Sequence, residues 1–230
     1  MKPEESIFYL ATLHSDMNQE LASQSSKKSR NTAEEFFSHV YENGFWGKDE
    51  DGNGTSGTGS SLEEGIPFIN IIQNLLKNYN ISSVVDLGCG DWVLAKEINW
   101  GQATYLGLDV VESIIRKNQK LYSSNKINFL LYDAESGTLP QADLLICKDV
   151  LMHLPNSYIF QILAQSKKFK YCLFINDVNP LATINKDIPS FGFRVLNLTL
   201  HPFDLVPSKV DYYVSGLETK QVILLTSFLT

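Results

Sequence analysis

The chain has 230 residues, 43% of them hydrophobic and 20% charged, a balance that suits one sizeable α/β domain with a modest appendage. Its formal net charge of −7 argues against a broad electrostatic grip on a nucleic-acid backbone, which needs clustered Lys and Arg. No apolar segment is long enough to span a bilayer, and the three cysteines (Cys89, Cys147 and Cys172) are odd in number and lack CxxC spacing, so a reducing, cytoplasmic setting is expected.

The chain begins Met1-Lys2-Pro3-Glu4-Glu5, charged rather than apolar, which does not read as a secretory signal. Up to about residue 30 it is polar. Phe8, Leu10, Leu13 and Met17 recur at roughly helical spacing, and a loosely docked arm is expected. A firmer helix is predicted from Thr32, which pairs with Glu35 as a capping box ahead of Phe36, Phe37, Val40 and Tyr41. Residues 47–60 are rich in Gly, Ser, Thr and Asp and read as a flexible loop or linker. Ser61 and Glu64 make a second capping-box pair, and Ile66 to Tyr79 carries an amphipathic pattern. The expected division is an arm, helix and loop over 1–60, then a main domain over 61–230.

From residue 81 the rhythm alternates strand and helix. Strands are predicted at 83–87, 104–109, 127–132, 142–147, 171–177, 193–198 and 220–227, with helices at 91–98, 111–122 and 156–169. The early strands are continuous apolar runs such as Leu144-Leu145-Ile146, as expected of a parallel sheet covered on both faces. The last two lack a helix between them and are expected to pair antiparallel across the connection 199–208. No internal repeat is visible.

Three acids sit at the predicted carboxyl ends of successive strands. Asp86 precedes Gly88-Cys89-Gly90-Asp91-Trp92, whose glycines let the backbone turn sharply and approach a ligand. The amide groups opening the next helix would then receive a carboxylate, and Asp86 could meet an ammonium through water. Asp109 follows Gly88 by 21 residues, where a carboxylate accepts both hydroxyls of a ribose. Asp133 ends the third strand, where it could accept from an adenine amino group while the Ala134 amide faces the ring. This pattern implies an adenosine carrier, S-adenosyl-L-methionine (SAM). A dinucleotide fits less well: Val93 occupies the third small-residue position of that fingerprint, and Asp91 would lie beside a pyrophosphate.

These motifs resemble those of class I SAM-dependent methyltransferases, and within them a subgroup with a Ser-Gly-x-Gly-Ser motif upstream of a Cys-Gly-Asp loop. The matching stretches are Trp46, Ser56-Gly57-Thr58-Gly59-Ser60, Cys89-Gly90-Asp91, residues 105–109, 139–144, 148–154 and 197–203. Gly65 and Lys148 depart from it, standing where the subgroup usually has Thr and Arg. The resemblance implies a seven-stranded sheet, five strands parallel and two antiparallel, beneath an N-terminal helical cap. It also implies that the Ser-Gly loop folds over the cofactor, with Ser60 at its methionine end. Cofactor contacts are expected from Trp46, Ser60, Asp86 and Gly88, from Cys89, Gly90, Asp109 and Val110, and from Asp133, Ala134 and Lys148.

Methyl transfer needs a base only when the nucleophile must lose a proton. Asp149 and His153, four apart at the end of the fourth strand, are the candidate catalytic pair, with Asp177 and His201 behind them. No cluster has convincing metal spacing. The expected function is methyl transfer to an oxygen or nitrogen of a small molecule, a sugar or a protein side chain. A non-catalytic SAM-binding or protein-interaction module and a nicotinamide oxidoreductase are the alternatives.

Overall fold

The computed structural model describes residues 32–134 and 137–226. The expected N-terminal arm and the position of Ser227 lie outside them. Helix α1 (Ala33–Asn43) opens on the full capping box of Thr32 and Glu35 and closes on left-handed Gly44. Helix α2 (Leu62–Asn78) has only half of its predicted box. Ser61 Oγ accepts from the Glu64 amide, but the Glu64 carboxylate is used elsewhere and accepts from the Gly216 N–H.

Strands β1 (Ser83–Leu87), β2 (Thr104–Asp109), β3 (Ile127–Leu131), β4 (Ala142–Lys148) and β5 (Phe169–Val178) run parallel. Strands β6 (Lys209–Ser215) and β7 (Glu218–Thr226) form a hairpin, and β7 enters antiparallel beside β5. The order is β3-β2-β1-β4-β5-β7-β6. This is the class I methyltransferase fold. A dinucleotide-binding sheet would continue with a parallel sixth strand instead.

Successive residues of β4 serve opposite faces, as the strand period demands. Leu144 and Ile146 pack with Phe68, Ile72 and Leu75 of α2 and Ile115 of α3 (Glu112–Tyr122). Leu145 and Cys147 pack with Ile159 and Ile162 of α4 (Asn156–Gln165). The helix predicted to run to residue 169 ends at Gln165 and passes through a short 3₁₀ turn into β5.

Two predicted elements are corrected. Residues 91–98 are not a helix; only Ala95–Glu97 makes a 3₁₀ turn. Trp92 has φ +61°, which no α-helical start allows, and its ring is buried against Tyr105, Tyr122 and Phe129. Residues 193–198 are not the sixth strand. They have no regular structure, though they alternate in burial with Arg194, Leu196 and Leu198 inward, and both edges of β5 are already taken by β4 and β7. The segment lies over the sheet end instead, bonding through Leu196 N–H to Asp177 O and Arg194 N–H to Met152 O. The true sixth strand, 209–215, is a sheet edge with mostly exposed side chains.

Candidate active site

A cleft opens over the carboxyl ends of the parallel strands, the general ligand position of open α/β sheets. Its floor starts at the turn after β1. Gly88 and Gly90 have φ of +76° and +54°. A Cβ on Gly88 would overlap Val150, and one on Gly90 would overlap Ser56. Both positions therefore demand glycine on conformational and steric grounds. The buried Asn118 side chain fixes the turn by donating to Gly90 O (2.7 Å).

The glycine- and serine-rich stretch is tied down rather than loose. Lys48 bridges Gly54, and Asp49 caps the turn between them by accepting from the amides of Asp51 and Asn53. Ser56 and Asp91 then join the two motifs. The Ser56 N–H donates to Asp91 Oδ2 (3.2 Å), and the Asp91 N–H donates to Ser56 Oγ (3.0 Å). The Tyr41 hydroxyl shares Ser56 Oγ at 2.8 Å, which docks α1 onto the same knot. Residues 56–60 consequently line the cleft, together with Phe37, Tyr41 and Trp46.

Two further acids stand at or just beyond neighbouring strand ends. Asp109 accepts from Gly90 N–H (2.9 Å) and Val111 N–H (3.0 Å) and faces the cleft beside Val110. Burial raises its pKa, against the lowering effect of those amides. Each carboxylate oxygen has two lone pairs, so acceptor capacity remains for a hydroxyl. Asp133 and Ala134 line the same end beyond β3.

Asp86 and Cys89, expected to touch the cofactor, do not line the cleft. Asp86 is buried and accepts from the Tyr105 hydroxyl (2.6 Å). Burial pushes its pKa up to about 6, although Tyr105 and Lys148 both pull it down. The Cys89 amide donates to Leu108 O (3.0 Å), and its thiol lies against Gly107. The helix start expected to receive a carboxylate is likewise missing, since residues 91–98 form no α-helix.

At the other end of the cleft is a charged network. Lys148 Nζ lies 2.5 Å from Asp149 Oδ2, and Lys220 Nζ lies 3.0 Å from Asp149 Oδ1. Lys220 also reaches Asp177 (2.5 Å) and Glu218 (3.4 Å). All five line the cleft. Asp149 has φ +58°, a left-handed conformation that Asp tolerates better than most residues. Burial opposes its ionisation, yet the two ammonium groups outweigh burial and hold it well below the usual carboxylate range. A carboxylate so held is a weak base. Asp177 shifts the other way, because burial outweighs its single lysine.

His153 lies in the cleft wall with its ring against Phe37, Trp46 and Phe193, centroids 5.7–5.9 Å away, and with Nδ1 3.1 Å from Gly192 O. His201 is exposed, paired with Asp204, and outside the cleft. Lys220 and Glu218 were not foreseen. The β6–β7 hairpin turn brings them to the carboxyl end of the parallel strands, and the one available signal was a Lys-Gln pair heading an otherwise apolar strand.

Residues 84–169 match the family described as a methyltransferase domain. No curated protein matches the chain. Among solved structures, the magnesium protoporphyrin IX methyltransferase of Synechocystis PCC 6803 with bound SAM is similar at 14% identity and a TM-score of 0.57, over 81% of this chain and 92% of that one. The N-methyltransferase NodS of Bradyrhizobium japonicum WM9, in complex with S-adenosyl-L-homocysteine (SAH), shares 14% identity and a TM-score of 0.53, over 69% and 84% of the two chains. A SAM-dependent methyltransferase of Leishmania major shares 14% identity and a TM-score of 0.56, over 68% and 71%. No helix among the described residues is long and apolar enough to cross a membrane. The chain therefore has the class I methyltransferase fold, and residues 84–169 within it match a methyltransferase-domain family.

Proposed function

We propose that the protein transfers a methyl group from SAM to an oxygen or nitrogen of a small molecule, a sugar or a protein side chain. One observation carries this reading: Asp109 and Asp133, from neighbouring strand ends, share a cleft with the turn at Gly88 and Gly90. The residues present fit the cofactor. Asp109 keeps open lone pairs for ribose hydroxyls beside Val110, and Asp133 and the Ala134 amide suit the adenine. Gly88 and Gly90 permit close backbone approach. Trp46, Ser60 and Lys148 line the remaining walls, with residues 32–60 acting as a lid on the domain that follows. Asp86 and Cys89 support this turn from behind.

When bound, the cofactor supplies an electrophilic methyl group on a sulfonium. The chain's own work is to orient the reactants and exclude water. Asp149 fixes the charge pattern at the end of β4, and His153 holds the aromatic wall next to the acceptor. Thermal-shift and calorimetric comparison of SAH with NAD tests the reading. SAH is expected to stabilise the protein and NAD to have no effect. Stabilisation by NAD alone would overturn it. Transfer of labelled methyl to a panel of amines and hydroxyl compounds then tests turnover.

A further inference from the structure

We propose that the β4–β5–β7 end of the cleft is the acceptor subsite, and that it takes a positively charged amine received by the unpartnered carboxylate oxygen of Asp177. The inference rests on the methyl-transfer reading and adds to it the chemical class of the acceptor.

The strand order β2-β1-β4-β5 puts Asp177 three strand spacings from Asp109, roughly 14 Å across the sheet. The acids assigned to the nucleotide stand at the end of β2 and just beyond β3. Space over β4, β5 and β7 is therefore left for the group that approaches the methyl.

Asp149, Asp177 and Glu218 carry three carboxylates, and Lys148 and Lys220 carry two ammonium groups. With every group ionised, one negative charge is left over. Lys220 is 2% exposed and Asp177 5% exposed, so water screens this excess poorly. The raised pKa of Asp177 lets a proton relieve that excess, and a bound cation takes the proton's place; an anionic acceptor worsens it.

Both Asp149 oxygens are taken by lysines. Glu218 is the more open carboxylate, at 20% side-chain exposure against 7% for Asp177. Asp177 meets Lys220 as an ion pair through its buried Oδ1 alone, and no ion pair among the described residues reaches its Oδ2. A buried carboxylate lining a cleft with an open oxygen is a strong acceptor for an ammonium N–H. Asp177 is then placed to hold the proton that the amine releases.

The test measures binding, not turnover. SAH and sinefungin are titrated calorimetrically into wild type and Asp177→Asn. Sinefungin carries an amine where the methyl-bearing sulfonium would be, so its ammonium probes the acceptor side. Wild type is expected to bind sinefungin at least about ten-fold more tightly than SAH, the scale of one charge-assisted bond. In Asp177→Asn that preference is expected to fall to about two-fold or less, with SAH affinity nearly unchanged. No preference in wild type overturns the proposal and favours a neutral hydroxyl acceptor. A preference that survives in Asp177→Asn overturns it too. Should the Asn variant not fold, Asp177→Ser serves in its place, and the wild-type comparison still decides. Failure of SAH itself to bind wild type removes the methyl-transfer reading, and this inference falls with it; SAH binding with no sinefungin preference removes the inference alone.

Discussion

Ser56 and Asp91 hold each other by reciprocal backbone-to-side-chain hydrogen bonds of 3.2 and 3.0 Å, 35 residues apart in the chain. The arrangement is a capping box made between two loops. It converts a stretch with the composition of a linker into one wall of the cleft. It also gives Asp91 a structural task, joining the upstream serine motif to the glycine turn.

Ser56→Ala removes the acceptor for the Asp91 amide and the partner of the Tyr41 hydroxyl. Leaving such groups unpaired costs about 1–3 kcal/mol, or about 2–4 °C of Tm per kcal/mol in a chain of this size. The lid should loosen with it. Faster hydrogen exchange at residues 56–60 and SAH affinity several-fold weaker are expected. A variant with unchanged melting and unchanged affinity would show that the knot does not hold the lid.

Most of the sheet was legible because apolar runs with acids at their ends have one reading in an α/β chain. Ser83–Leu87 and Thr104–Asp109 were read to the residue. The misread parts share a cause: local pattern was overridden by distant partners. Residues 193–198 alternate as a strand should, but no sheet edge is free for them. Residues 209–215 alternate as well, yet Val210, Tyr212 and Val214 stay exposed on an edge and give no core signal. In the site, acids could be found in sequence because strand ends position them. Lys220 could not, because its role depends on β7 running antiparallel beside β5, where it pairs with Asp177.

Gly65 is required at its position for a packing reason. It is buried within α2, and a Cβ there would overlap the Leu94 side chain. Gly65→Ala gains about 1 kcal/mol of helix propensity, against about 1–3 kcal/mol for overpacking. Net destabilisation is expected. Leu94→Ala alone should cost about 2–5 kcal/mol through the cavity it leaves. The double variant should be more stable than the sum of the two, by about 1 kcal/mol or more in denaturant melts. Strict additivity would rule out the contact.

Asp109→Asn tests the ribose assignment while keeping one acceptor oxygen for the Gly90 amide. A hydrogen bond to a charged acceptor is worth about 1.5–3 kcal/mol, so SAH should bind about ten-fold or more weakly. Adenine alone, which has no ribose, should be affected little in the same titration. An unchanged SAH affinity in a folded variant would falsify the assignment.

Asp86 links this turn to pH. Burial raises its pKa to about 6 in the folded protein, with the Tyr105 hydrogen bond and Lys148 offsetting only part of that. The unfolded value is about 3.9. Between about pH 4 and 6 the folded chain therefore keeps a proton that the unfolded chain has released. Stability contributed by this group falls as pH rises through that window and is level above it. Two pKa units correspond to about 2–3 kcal/mol at most. Asp86→Asn keeps an acceptor for the Tyr105 hydroxyl and has no proton to lose. Urea melts should find the variant and wild type closest in stability near pH 4. The variant should gain on wild type by about 2 kcal/mol towards pH 6, then hold a constant lead. A difference that does not change with pH would mean that Asp86 is ionised throughout, with Tyr105 and Lys148 outweighing burial.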